Sequence, residues 1–190
     1  MRILAYDPSY INLGVAFGIS SNKNLTIRSC GTYKIDKLLT QIGTPHDWEL
    51  DDNQKRAIVV ANVTAFTLKS FKPDIVVVED IFYNGQNPNT LIIQANCLGT
   101  LYTQIGMHFI NKSAPVLTRY VPNVIKAGVG VDKKDFKEKE AVKRQLKLLR
   151  DAGELVYSNA NIDLDVTEDH TDDAVAMVYT KHREVKDELD

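Results

Sequence analysis

Cysteine is scarce in this 190-residue chain: only Cys30 and Cys97 occur, in no metal-ligand spacing and both among apolar or small residues. That spacing gives no zinc site, and free thiols in a reducing compartment are expected rather than a disulfide. Long apolar runs are also missing. No stretch approaches the roughly 18 residues a membrane span needs, and Met1-Arg2 leads straight into a strand-like segment rather than a signal peptide. A soluble cytoplasmic protein without membrane contact is therefore expected. There is no internal repeat and no low-complexity tract, and the length suits one domain over residues 1–190.

A strong net charge is absent too, since the formal value is -2. The distribution, however, is uneven. Residues 112–150 hold eleven Lys and Arg against four Asp and Glu, whereas residues 151–190 hold three against twelve. A basic segment followed by an acidic one can set a phosphate-gripping rim beside a metal-binding floor. The plainer reading is a solvated helix face near Lys133 to Arg150 and a disordered acidic tail over about 184–190.

What is present is a clear order of periodic segments. Arg2 to Tyr6, Leu13 to Ile19 and Leu25 to Lys34 read as strands joined by tight polar turns, which predicts a three-stranded antiparallel meander. Residues Asp36 to Asp52 show neither period and read as an exposed connection. Ala57 to Phe71 carries Val59, Val60, Val63 and Phe66 on a helical stripe that stops before Pro73, and Asp74 to Glu79 reads as the fourth strand. Asn87 to Ile110 has Leu91, Ile92, Ala95, Leu98, Leu101, Ile105 and Phe109 at helical spacing, and Pro115 to Val121 reads as another strand. Lys137 to Leu149 and His170 to Val185 read as amphipathic helices, with Ala174, Val175, Met177 and Val178 of the latter inward. The sum is an α/β fold, a mixed sheet of meander plus parallel strands flanked by helices.

Four side chains fall where such elements begin or end. Asp7 closes the apolar run Ile3 to Tyr6, Glu79 closes Ile75 to Val78, and His170 and Asp173 stand three apart at the start of a helix, sharing one face. A carboxylate at the tip of a buried strand is costly unless paired or bound to a cation, and two such tips imply a shared positive partner. A divalent metal fits, and with it a nuclease. Taken singly, each has a plainer use: Asp7 as a turn cap with Pro8, Glu79 in a salt bridge, His170 on the surface, Asp173 as a first-turn acid. Asp80 alternates to the opposite face of its strand from Glu79 and is left outside the site.

The ordered set resembles the RuvC-type Holliday-junction resolvases. Ile3-Leu4-Ala5-Tyr6-Asp7-Pro8-Ser9 with Leu13-Gly14-Val15-Ala16 looks like that family's opening strand and turn. Val78-Glu79-Asp80-Ile81-Phe82 looks like its second acidic strand end, with an aromatic three positions past the glutamate. His170-Thr171-Asp172-Asp173-Ala174-Val175-Ala176 is similar to its C-terminal helix motif. Val124 to Gly130 and Glu138 to Val142 resemble its lysine-bearing segments. The likeness runs from Met1 to about Val178 and implies the ribonuclease H-like fold. One departure is His170, where some members carry an acid.

The resemblance implies a structure-selective endodeoxyribonuclease acting on four-way or other branched DNA. Asp7, Glu79, His170 and Asp173 are the expected catalytic residues and ligands of two Mg2+ ions, with Mn2+ as a substitute. Water would attack in line and leave a 5′-phosphate and a 3′-hydroxyl. Phe82 or Tyr83 would stack on a base, and Lys126 and Lys139 would meet phosphates. Core packing and surface solvation are the plainer uses of those four. Small residues on the Asn87 to Ile110 helix suit either a homodimer face, matching the symmetry of a junction, or the protein's own core. The setting would be a bacterial cytoplasm or a virus-infected cell. Two other readings stand beside this one. The first is a catalytically silent branched-DNA-binding protein of the same fold. The second is an actin- or sugar-kinase-like phosphotransferase, for which Asp7-Pro8-Ser9-Tyr10 makes a poor phosphate loop.

Overall fold

The apolar run at the N-terminus becomes a strand buried on both faces, and the sheet is built around it. A computed structural model describes residues 1–42, 49–81, 87–110, 113, 115–138, 140–158 and 167–187. Strand β1 (Arg2–Asp7) pairs antiparallel with β2 (Asn12–Ser20), and β2 with β3 (Leu25–Lys34), giving the expected meander. On the other side β1 pairs parallel with β4 (Ile75–Glu79), and β4 with β5 (Val116–Tyr120). A short β6 (Leu155–Tyr157) adds parallel to β3, so the sheet order is β5-β4-β1-β2-β3-β6. Sequence reading missed β6 because three residues carry no period.

Helices cover both faces. Beside Leu4, Tyr6, Val76 and Val78 lie α1 (Ile35–Ile42), α2 (Asp52–Phe71) and α3 (Pro88–Phe109). Beside Ile3, Ala5, Ile75 and Val77 lie α4 (Pro122–Gly128), α5 (Ala141–Asp151) and α6 (Asp169–Asp187). Alternate residues of β1 and β4 thus feed two separate cores. Residues Ala174 to Val178 of α6 have no exposed surface at all.

Several expectations need correction. Asp36 to Asp52 is not one loop: Ile35, Leu38 and Leu39 make a helical stripe against the α2–α3 core, and Arg56 bonds Asp36 at 2.7 Å to join α1 to α2. The Gly43-Thr44-Pro45 punctuation masked that stripe. A capping box starts α2, the Asp51 side chain accepting from the Gln54 amide while the Gln54 side chain accepts from the Asp51 amide. Phe66 does not face inward but is 62% exposed. Thr64, Thr67 and Leu68 are buried in its place, and the Thr67 hydroxyl meets the Tyr6 phenol at 2.6 Å. On α3 the buried residues are Cys97, Leu98, Leu101 and Ile105, while Ile92 is exposed. Helix α5 begins four residues later than expected, after a 3-10 turn over Lys133–Asp135. Residues 184–187 are the last turn of α6 rather than a loose tail, and Glu184 pairs with Lys181. Among the described residues no helix is long and apolar enough to cross a membrane.

Candidate functional site

Asp7 and Glu79 end two strands that lie side by side and parallel. Ala5 and Val77, two residues back on each strand, point into the α6 layer, so the alternation carries both carboxylates to that same face. Asp7 is only 5% exposed. The start of α6 comes down on this point: His170 Nδ1 lies 2.5 Å from Asp7 Oδ2. Its approach depends on Gly14, which pairs with Asp7 across the β1–β2 ladder; a Cβ there would stand 2.1 Å from the His170 carbonyl oxygen. Glycine is required for closeness, not for an unusual φ.

Asp7, Glu79, His170 and Asp173 all line one cleft of about 980 Å³. Lys126 of α4 and Lys133, Lys134 and Lys137 line it as well, so the basic segment forms its rim. Lys126 Nζ donates to the Phe136 carbonyl, which holds the 3-10 turn against α4. Sequence alone offers Lys133, Lys134 and Lys137 no more than plain electrostatic attraction for a nucleic-acid backbone. Their place was hidden because α4 is a seven-residue helix, signalled only by Pro122 at its first turn. Asp80 also reaches the cleft wall, but its carboxylate is turned to Arg119 at 3.6 Å. Phe82, Tyr83 and Lys139 lie outside the described residues.

The electrostatics are those of crowded acids. Burial pushes the Glu79 carboxyl strongly up, and the charge of Asp7, a hydrogen bond to Asp7 and the charge of Asp173 add to this. Burial and then Asp7 push Asp173 up to about 7, while Lys126 and His170 pull the other way. The hydrogen bond to Asp7 raises the His170 pKa against the effect of burial. Asp7 thus stands between Glu79 and His170, and its charge raises the pKa of each.

Among the described residues no three His, Cys, Asp or Glu side chains already stand around one point as metal ligands would. The donor set nevertheless fits a hard divalent cation. Three carboxyls and an imidazole line one cleft, two of the carboxyls are driven toward the neutral form by burial and mutual repulsion, and a cation would relieve both effects.

No protein-family model matches the sequence, and no curated protein is similar to it. Solved structures are similar. RuvC of T. thermophilus in complex with a Holliday junction substrate aligns with a TM-score of 0.66 at 18% identity, covering 95% of this chain and 92% of that one. The yeast mitochondrial Holliday junction resolvase Ydc2 aligns with a TM-score of 0.70 at 15% identity, covering 98% and 80%. The fowlpox virus Holliday junction resolvase gives 0.50 at 14%, covering 100% and 99%. Antiparallel β1-β2-β3, parallel β4 and β5, and an acidic cleft at the strand ends beneath α6 together mark this chain as having the ribonuclease H-like fold of the RuvC-type Holliday-junction resolvases.

Proposed function

We propose that this protein is a divalent-metal-dependent endodeoxyribonuclease that resolves Holliday junctions and related branched DNA. One observation carries the reading: the carboxylates ending two adjacent parallel strands share a lysine-rimmed cleft with His170 and Asp173 from the N-terminal end of α6. Asp7, Glu79, Asp173 and His170 are the residues to hold Mg2+ or Mn2+, two ions in the full site. When bound, the ions neutralise phosphate charge and make water a nucleophile at neutral pH. For the protein's own part, Asp7, held beside His170 at the end of β1, would be the carboxylate shared by the cation site. His170, beside Asp7, would complete the ligand set or steer the attacking water. Lys126, together with Lys133, Lys134 and Lys137, steadies the phosphate charge as the 3′-oxygen leaves. The products are a 5′-phosphate and a 3′-hydroxyl.

A homodimer would set two such clefts on two strands. The open face of α3 supports this: Ile92 and Met107 are exposed there, and among the described residues nothing lies within 4 Å of a Cβ placed at Gly99 or Gly106. Phe82, Tyr83 and Lys139 are proposed to contact DNA.

The test is cleavage of a labelled synthetic four-way junction beside its linear duplex, with magnesium, with chelator, and with Asp7→Asn or Glu79→Gln. Paired nicking of the junction, lost in chelator and in both variants, is expected. Junction binding without cleavage in magnesium or manganese would instead make the protein a silent binder of branched DNA.

A further inference from the structure

The first turn of α6 carries a second acid that the cleft does not use. Asp172 is 3% exposed and lies on the side of the helix away from the cleft, whose lining includes Asp169, His170 and Asp173 but not Asp172. It is closed into a small network with α5. Lys143 Nζ lies 3.6 Å from Asp172 Oδ2 and donates to the Thr167 carbonyl at 2.9 Å, while the Thr167 hydroxyl donates to Asp172 Oδ1 at 2.6 Å. Both ends of the ion pair are shielded, with side-chain exposures of 15% and 4%. On the other flank, β3 grips the same turn through Thr32 to Thr171 at 2.9 Å and Lys34 to Glu168 at 2.8 Å.

A buried ion pair is weak evidence for stability, because desolvation offsets most of the attraction; its better-attested use is to fix one register among several. The register at stake here is that of residues 168–173, which sets where His170 and Asp173 point. We propose that Lys143 and Asp172 are a positioning pair that locks the start of α6 with its ligand face toward Asp7 and Glu79, and so sets the affinity of the cleft for divalent metal. The pair touches neither substrate nor ion. The inference rests on the metal-site reading above.

The decisive variant is Lys143→Met combined with Asp172→Asn. It leaves no buried charge unpaired and removes one charge of each sign, so long-range attraction for a cation is nearly unchanged. Isothermal titration with Mn2+ alone should then show affinity lower by ~10-fold or more, the size typical when a ligand's supporting contact is lost. Hydrogen exchange of the metal-free protein should rise in residues 168–173 and stay unchanged in β1. Lys143→Met alone separates the causes by sign: removing a cation near the cleft strengthens Mn2+ binding if only charge matters, and weakens it if positioning matters. Lys143→Arg, which keeps the charge and the donors, should restore binding to within about threefold. Unchanged Mn2+ affinity and exchange in the double variant, with wild type binding Mn2+ and cutting a junction, would overturn the positioning role alone. A wild type that neither takes up Mn2+ nor cuts would overturn the nuclease reading and this inference together.

Discussion

Gly14→Ala is the sharpest test of how the cleft is assembled, because one methyl group acts on both packing and chemistry. Its Cβ would stand 2.1 Å from the His170 carbonyl oxygen and 2.7 Å from the carbonyl carbon. Carbon and oxygen settle near ~3.3 Å, so the start of α6 must retreat by roughly 1 Å. No side chain can rotate away to relieve this, since the two nearest atoms are backbone. Overpacking of this kind costs ~1–3 kcal/mol of stability. The chemical effect is larger, because a misplacement of ~1 Å in a reacting constellation can lower the rate by ~100-fold. The assay is single-turnover cleavage of a four-way junction at saturating magnesium, beside urea unfolding of the same preparation. Gly31→Ala is the matched control: Gly31 is also in the meander, but its added Cβ meets none of the described residues within 4 Å, and wild-type cleavage is expected. If Gly14→Ala cuts and unfolds like wild type, the close approach of α6 to β2 does not set the cleft.

Other outcomes follow from the same geometry. Asp173→Asn should stabilise the metal-free protein at pH 8 and leave it unchanged at pH 3 in urea melts. Its carboxyl is pushed from 3.8 to about 7, so the native state holds a proton that the unfolded chain releases, and stability falls as pH rises through that window. The gain at pH 8 is expected to be ~2 kcal/mol, about half of what ~1.4 kcal/mol per pH unit gives, because water reaches the cleft. His170 acts in the same direction, its raised pKa contributing stability below its ordinary 6.5 that is lost as pH rises through the folded value. Mn2+ at ~100 times its dissociation constant should raise the unfolding free energy by ~2.7 kcal/mol, and Asp7→Asn should remove most of that shift in thermal melts. Tyr6→Phe removes the phenol that meets Thr67 at 2.6 Å on the face of β1 opposite Asp7; ~1 kcal/mol of stability should be lost with junction cleavage unchanged.

Much of this protein is legible in its sequence. The runs Ile3 to Tyr6 and Ile75 to Val78 are apolar at every position, which only a central strand covered on both faces tolerates, and an acid directly after each run has to sit at a strand end. The i, i+3 spacing of His170 and Asp173 puts them on one helical face wherever the helix packs. Local periodicity therefore determined the meander, the main helices and which four side chains are available for chemistry. It did not reveal α4 or β6, seven and three residues long, whose conformation comes from tertiary packing rather than from any period.

Only the tertiary structure decided how these pieces combine. The pairing of β1 with β4 makes Asp7 and Glu79 neighbours, an event between residues 72 positions apart that no local pattern encodes. Folding of α4 and the 3-10 turn brings Lys126, Lys133, Lys134 and Lys137 to the acidic cleft, so charges separated along the chain become the two sides of one site. The burial that raises Glu79 and Asp173 likewise exists only once α6 closes over the sheet. Sequence supplies the groups, and long-range packing supplies the distances and the dielectric on which their chemistry depends.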